Sequence, residues 1–264
     1  STENWEPQNY NEKFSGPLRL REGLAKSKNL VAIRVLKNIG PEYAQDYISR
    51  FGFDPKKHQP YLSMALGVGE VTAMEMVSAY SVFANGGYLK KPYFIDKIID
   101  SQGRKVKLSS ALMNAEVPRI IDPRNAFIMT DMLKEVINSG TARKAKRLKR
   151  NDIAGKTGTT NNLIDAWFAG YNPDIVTVTW MGFPQPKPLG DKETGSRAAL
   201  PIWIDYMEPI LEDYPIKMLV EPEGILPLKV KESDGTLAGP NEPGIYEYFY
   251  DEFLPKDNAY FMIN

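Results

Sequence analysis

Apolar positions in the first half of the chain recur at helical spacing. Pro17 stands where a first helical turn accepts proline, and Leu18, Leu20 and Leu24 follow it, which predicts a helix to about Ala25. Leu30, Val31, Ile33, Val35 and Leu36 ahead of Gly40 predict a second helix, and Pro41 to Phe51 ahead of Gly52 a third. Thr72 and Glu75 are spaced as a capping box before Met76, Val77, Tyr80 and Phe83, with Gly86-Gly87 as the stop. Asp122-Pro123 opens a long amphipathic helix through Met129, Met132, Leu133, Val136 and Ile137 that closes at Ser139-Gly140. Residues 5 to 16 read as ordered loop, and Tyr93 to Lys107 as two strands around Ser101-Gln102-Gly103.

From Asp152 the period changes from helical to extended. Ile164 to Tyr171, a turn at Asn172-Pro173-Asp174, and Ile175 to Phe183, rich in Val, Thr and Trp, predict an antiparallel hairpin beside the stretch 152–162. Pro201 then starts a helix whose Trp203, Ile204, Met207 and Leu211 can cover one sheet face. The expected fold class is α+β, an antiparallel sheet flanked by helices with a helical subdomain. Its main domain is placed at 1–214, with an acidic extension at 215–264.

Composition narrows the function classes. With 264 residues and 42% apolar positions the chain can bury a sizeable core. Thirty-three basic and thirty-three acidic residues cancel, so no overall field draws the molecule onto nucleic acid or an anionic membrane. The charge is uneven, however: residues 208–264 hold twelve acids against four lysines. There is no cysteine, which excludes disulfides, thiolate metal sites and thiol catalysis and leaves the compartment open. No apolar run approaches the roughly 18 residues of a membrane span, and Ser1-Thr2-Glu3-Asn4-Trp5 lacks signal-peptide character.

The stretch Asp152–Asn162, DIAGKTGTTNN, is the main candidate for chemistry. A phosphate loop would need glycine at position 150, which is Arg150, after a buried strand that Lys146-Arg147-Leu148-Lys149 cannot form. An active-site strand needs an ammonium in the site, a hydroxyl beside it to bind a carboxylate, and a glycine that lets a substrate backbone pair with the strand edge. Lys156, Thr157 and Gly158 supply these in order.

Lys-Thr-Gly is one of three elements of the serine acyl-enzymes, the others being a Ser-x-x-Lys nucleophile and a Ser-x-Asn loop. Ser27-Lys28-Asn29 lies 129 residues before Lys156, between two predicted helices. The text around these motifs resembles the class A, bifunctional penicillin-binding proteins of the 1A type over nearly the whole chain. The carriers are WEPQNYNEKFSGPLRLREGLAKSKNLVAIRV, RFGF, SMALGVGEVTAMEMVSAYSVFANGGYLKKPYFI, SGTARKAKRLKRNDIAGKTGTTNNLIDAWFAGY, WMGF, ETGSRAALPIW and DGTLAGPNEPGIYEYF.

The resemblance implies a serine β-lactamase/DD-transpeptidase-like fold and cross-linking of peptidoglycan stem peptides, with acylation by β-lactam antibiotics. It implies no cofactor or metal, and an extracytoplasmic location at the periplasmic face of the inner membrane. By position, Ser27 would relay a proton toward the leaving amine, and Asn29 would hold the donor peptide amide and order the lysines. Lys156 would raise the local positive potential, Thr157 would bind the substrate carboxylate beside Gly158, and the Thr159 N–H would form half of the oxyanion hole. One departure is plain: no serine of the chain has lysine three residues on. The expectation is that the chain is the C-terminal part of a longer protein, with nucleophile, glycosyltransferase half and membrane anchor upstream, and is inactive by itself. The alternatives are a non-enzymatic derivative that binds peptides or partner proteins, and a carboxypeptidase with water as acceptor.

Other features have plainer readings. His58, the only histidine, is expected on the surface of a polar loop, and Asp165 in a turn or hairpin contact rather than acid–base work. Arg143, Lys144, Lys146, Arg147, Lys149 and Arg150 read as a solvated surface facing the acidic tail rather than a nucleic-acid contact. Tyr246, Tyr248, Phe249, Tyr250 and Phe253 read as packing of the tail on the body.

Overall fold

The computed structural model describes residues 6–10, 14–106 and 117–255. Helix α1 (Leu20–Ala25) starts later than Pro17 suggests, because Arg19 is still extended. Helices α2 (Asn29–Ile39) and α3 (Pro41–Ser49) meet at Gly40, whose φ of 91° only glycine adopts freely. The short turn Leu62–Leu66 packs on α2, and with it they make a helical region joined to α1. Helix α4 (Ala73–Ala84) carries the capping box: Glu75 N donates to Thr72 Oγ1 (3.1 Å) and Thr72 N to Glu75 Oε2 (2.7 Å). Helix α5 (Pro123–Asn138) opens with Arg124 N donating to Asp122 Oδ1 (2.8 Å).

Strands β1 (Ala154–Thr159), β2 (Ala166–Tyr171) and β3 (Val176–Met181) form an antiparallel sheet in that order. Lys156 pairs with Ala169 and Ala169 with Val178, while Thr157 pairs with Phe168 and Phe168 with Thr179. The β2–β3 turn is closed by Asn172, whose Oδ1 accepts from Asp174 N (3.1 Å) and Ile175 N (2.8 Å). Neighbouring strand residues face opposite sides. Tyr171 accordingly meets Thr130 of α5 (2.9 Å between hydroxyls) and Tyr80 of α4, while Phe168 packs edge-on against Trp203 at 5.0 Å. Trp203 belongs to helix α6 (Leu200–Leu211), so helices cover the sheet on both faces, and Trp203, Tyr171, Phe168, Leu200, Met207 and Val136 are fully buried.

Three expectations need correction. Residues 93–106 form no strand pair, only an isolated bridge between Ile99 and Lys105 around a turn held by Asp100 (Lys107 lies outside the described residues). Tyr93, Phe94 and Ile95 are exposed there among the described residues, and an isolated two-stranded ribbon is marginal in water. His58 is buried, not on the surface, because the turn Pro55–Lys57 tucks it under Phe53 (5.4 Å between rings) and against Gly69.

The acidic tail contains β4 (Ile225–Val230) and β5 (Ile245–Tyr250), an antiparallel pair that lies on α5 with Tyr248 edge-on to Phe127 at 4.9 Å, so its aromatic residues do pack on the body. Finally, the tail's acids do not mainly face the basic block. Glu247 meets Arg19 and Arg21, and Glu252 meets Arg124. Within the block Arg147 meets Asp205 and Glu208 of α6, and Arg150 holds the buried Asp152. Asp165 does make a hairpin contact, accepting from Trp180 Nε1 (2.8 Å).

Candidate active site

Helix α1 ends in a Schellman motif. Lys28 N donates to Gly23 O (2.9 Å) and Ser27 N to Leu24 O (3.1 Å), which places Ser27 at the left-handed position after the helix, with φ 51°. Glycine is the usual residue there, because a Cβ is strained in that conformation. Serine adds a hydroxyl at the cost of that strain.

The hydroxyl meets the strand. Lys156 Nζ donates to Ser27 Oγ at 2.8 Å and to Thr157 O at 3.0 Å. Burial pushes the Lys156 pKa down to about 8. At neutral pH the ammonium still predominates and acts as the donor to Ser27, which leaves the serine hydrogen free to point outward.

Strand β1 lies at the edge of its sheet among the described residues. Thr160 N donates to Asp165 O (3.1 Å), so by the alternation of an antiparallel ladder Gly158 and Lys156 turn their amide groups toward β2. Thr157 and Thr159 turn theirs to the open edge. The buried Thr157 Oγ1 lies 2.6 Å from Thr141 Oγ1, and Thr159 Oγ1 accepts from Gly195 N (3.0 Å). Gly195 is pressed onto the strands so closely that a Cβ would come within 2.3 Å of Gly158 O and 2.4 Å of Trp167 O. A Cβ on Gly158 would come first against Trp167, 3.1 Å from its Cβ.

The structure therefore brings Ser27, Lys156, Thr157, Gly158 and Thr159 to one edge. Asn29, the first residue of α2 and two positions after Ser27, donates its Nδ2 hydrogen to Gln8 O (2.9 Å) rather than to a lysine. Sequence reasoning read Gly140 only as a helix stop and passed over Thr141; both follow α5. Thr141 N donates to Ala25 O (3.0 Å), and a Cβ on Gly140 would lie 2.2 Å from that oxygen, so this turn locks the end of α1 as well as touching Thr157. A Ser-Gly-Thr run after a long helix was the available signal.

Residues 1–208 match the penicillin binding protein transpeptidase domain. The chain belongs to this family. Among curated penicillin-binding proteins it is 49% identical to penicillin-binding protein 1A of Neisseria lactamica over 84% of its own length, and 41% identical to that of Pseudomonas aeruginosa over 95%. It spans 28% and 36% of those two relatives. The crystal structure of penicillin-binding protein 1A from Haemophilus influenzae superposes with a TM-score of 0.90 at 33% identity, covering 96% of this chain and 42% of that one. The architecture is that of penicillin-binding protein transpeptidase domains, an antiparallel sheet flanked by helices. Among the described residues no helix is long and apolar enough to cross a membrane.

Proposed function

We propose that this chain is the later part of a serine DD-transpeptidase that cross-links peptidoglycan stem peptides outside the cytoplasm and is acylated by β-lactams. The 2.8 Å contact between Lys156 Nζ and Ser27 Oγ carries the reading, because it joins the Ser-x-Asn turn to the Lys-Thr-Gly strand across one edge. A serine that accepts from an ammonium and keeps its own hydrogen is suited to pass a proton to the leaving amine and to be refilled from Lys156.

The open edge of β1 is suited to the acyl group. The outward N–H of Thr159 supports its assignment as one oxyanion donor. Thr157 accepts from Thr141 when it donates to a ligand carboxylate, and such chained hydroxyls strengthen one another. Thr159 Oγ1 already accepts from Gly195 N, so its hydrogen is free for the same carboxylate. Asn29, at the start of α2, would take the donor peptide amide on the other wall. The nucleophile and its general base are assigned to residues outside 1–264, since no Ser-x-x-Lys occurs within them.

The test is labelling with a fluorescent penicillin. The complete protein should form a stable adduct at a serine outside these residues, and the isolated chain 1–264 should form none. A labelled serine within 1–264 would contradict the assignment of the nucleophile.

A further inference from the structure

Helix α1, which ends at Ser27, is only six residues long, too short to stand without outside support. Part of that support is local: Gly23 lies against Val31, and Thr141 N holds Ala25 O. More comes from packing on α5, which buries Ala25, and from the far end of the chain. Arg19 immediately precedes α1 without capping it and Arg21 lies in its first turn, so two guanidinium groups stand at the helix end that already carries partial positive charge.

Glu247 of β5 lies between them. Its Oε1 accepts from Arg19 Nη1 (2.5 Å) and its Oε2 from Arg21 Nε (2.6 Å). Arg21 also reaches Asp131 of α5 through Nη2 to Oδ2 (2.5 Å) and Nη1 to the carbonyl (3.1 Å), and Arg19 Nε donates to Glu232 O (2.9 Å). The side chains of Arg19, Arg21 and Glu247 are 13%, 12% and 14% exposed, so water screens the cluster little. The Schellman bonds make Ser27 a rigid continuation of α1, and a tilt of the helix moves its hydroxyl directly.

We propose that Glu247 is a positioning residue for the transpeptidase site: through Arg19 and Arg21 it sets α1 so that Ser27 Oγ stays within hydrogen-bond reach of Lys156. The acidic extension is thereby part of the site's support. The inference rests on the transpeptidase reading above. Glu252, in the same extension, offers an internal comparison, because it binds Arg124 at the start of α5 (2.8 and 2.9 Å) and does not touch α1.

The experiment follows acylation of the complete protein by a fluorescent penicillin, separating labelled amplitude, the binding constant and the first-order acylation constant. Glu247→Gln should keep the wild-type amplitude and binding constant while acylation slows by about ten- to a hundredfold, the size of loss that a small misplacement of a reacting group causes. Glu252→Gln should leave all three unchanged. If Glu247→Gln does not accumulate, Arg21→Lys, which keeps the charge and loses the fork that grips two carboxylates, is read in the same way. A reduced amplitude with a wild-type acylation constant, an unchanged constant, or equal slowing in Glu252→Gln would overturn the proposal. A wild-type protein that takes no label would instead overturn the transpeptidase reading, and this inference with it.

Discussion

Lys156 Nζ and Ser27 Oγ, 129 residues apart in sequence, lie 2.8 Å apart, and the serine holds a left-handed backbone to make that contact. Strain and hydrogen bond can be separated by substitution. Ser27→Gly should relieve a conformational cost of roughly 1–2 kcal/mol, partly offset by about 0.4–1 kcal/mol of added unfolded-state entropy. The variant of the complete protein should therefore unfold no more easily than wild type while its acylation by penicillin collapses. Thermal unfolding of the complete protein together with its acylation rate checks this. A variant that is both destabilised and slow would mean that Ser27 serves the fold first.

Burial of Lys156 gives stability a defined pH dependence. Its pKa falls from 10.5 unfolded to about 8 folded, so between those values the unfolded chain binds the proton more tightly and stability rises with pH. Below pH 8 the burial cost is present in full, at most about 3 kcal/mol, and above 10.5 it is gone. Lys156→Met should stabilise the protein at pH 7, with the gain shrinking as pH rises through this window. Denaturant titrations at pH 7 and pH 10.5 measure the difference, and an equal effect at both would show that burial does not govern the lysine.

For Thr157 the expected effect is on rate. A hydroxyl bonded to a ligand carboxylate contributes roughly 1.5–3 kcal/mol, and Thr157→Val removes it while keeping a β-branched shape suited to a strand. Acylation by carboxylate-bearing β-lactams should slow by about ten- to a hundredfold. Thr160→Val is the control: Thr160 Oγ1 accepts from Asp165 N (2.8 Å) inside the hairpin, so its loss should affect stability more than rate. Equal rates for wild type and Thr157→Val would place the carboxylate elsewhere.

Gly195 offers a purely steric test. A methyl there would enter within 2.3 Å of Gly158 O, with backbone on both sides and no flexible side chain to give way. Gly195→Ala should destabilise by about 1–3 kcal/mol and pull Gly195 N off Thr159 Oγ1. Thermal unfolding reads the first effect, and slower acylation the second.

What could be read from the chain was whatever depends on nearby residues. The Thr72–Glu75 box, the Asp122-Pro123 helix start and the hairpin at Asn172 are local hydrogen-bonding arrangements, and each formed where its residues stand. Misreadings came where distant partners decide. Tyr93–Val106 has strand-like composition, yet Tyr93, Phe94 and Ile95 stay exposed among the described residues. The aromatic residues of Ile245–Tyr250 do pack the tail on α5, but their pairing with Ile225–Val230 could not be read from spacing. His58 stands among lysines in sequence and under Phe53 in space. The Ser-x-Asn and Lys-Thr-Gly motifs were legible by family resemblance, but Thr141, the Arg19–Glu247–Arg21 cluster and the seat of Gly195 depend on tertiary approach, which no spacing reports.

The central claim is that Lys156 and Ser27 serve one acylation site, and the most direct measurement is the second-order rate of acylation of the complete protein by a labelled penicillin, wild type against Lys156→Met, at pH 7 and equal folded fraction. Lys156→Met should fold, be somewhat stabilised and acylate about a hundredfold or more slowly, the range of a lost proton-transfer partner. A folded Lys156→Met protein acylated at the wild-type rate would contradict it.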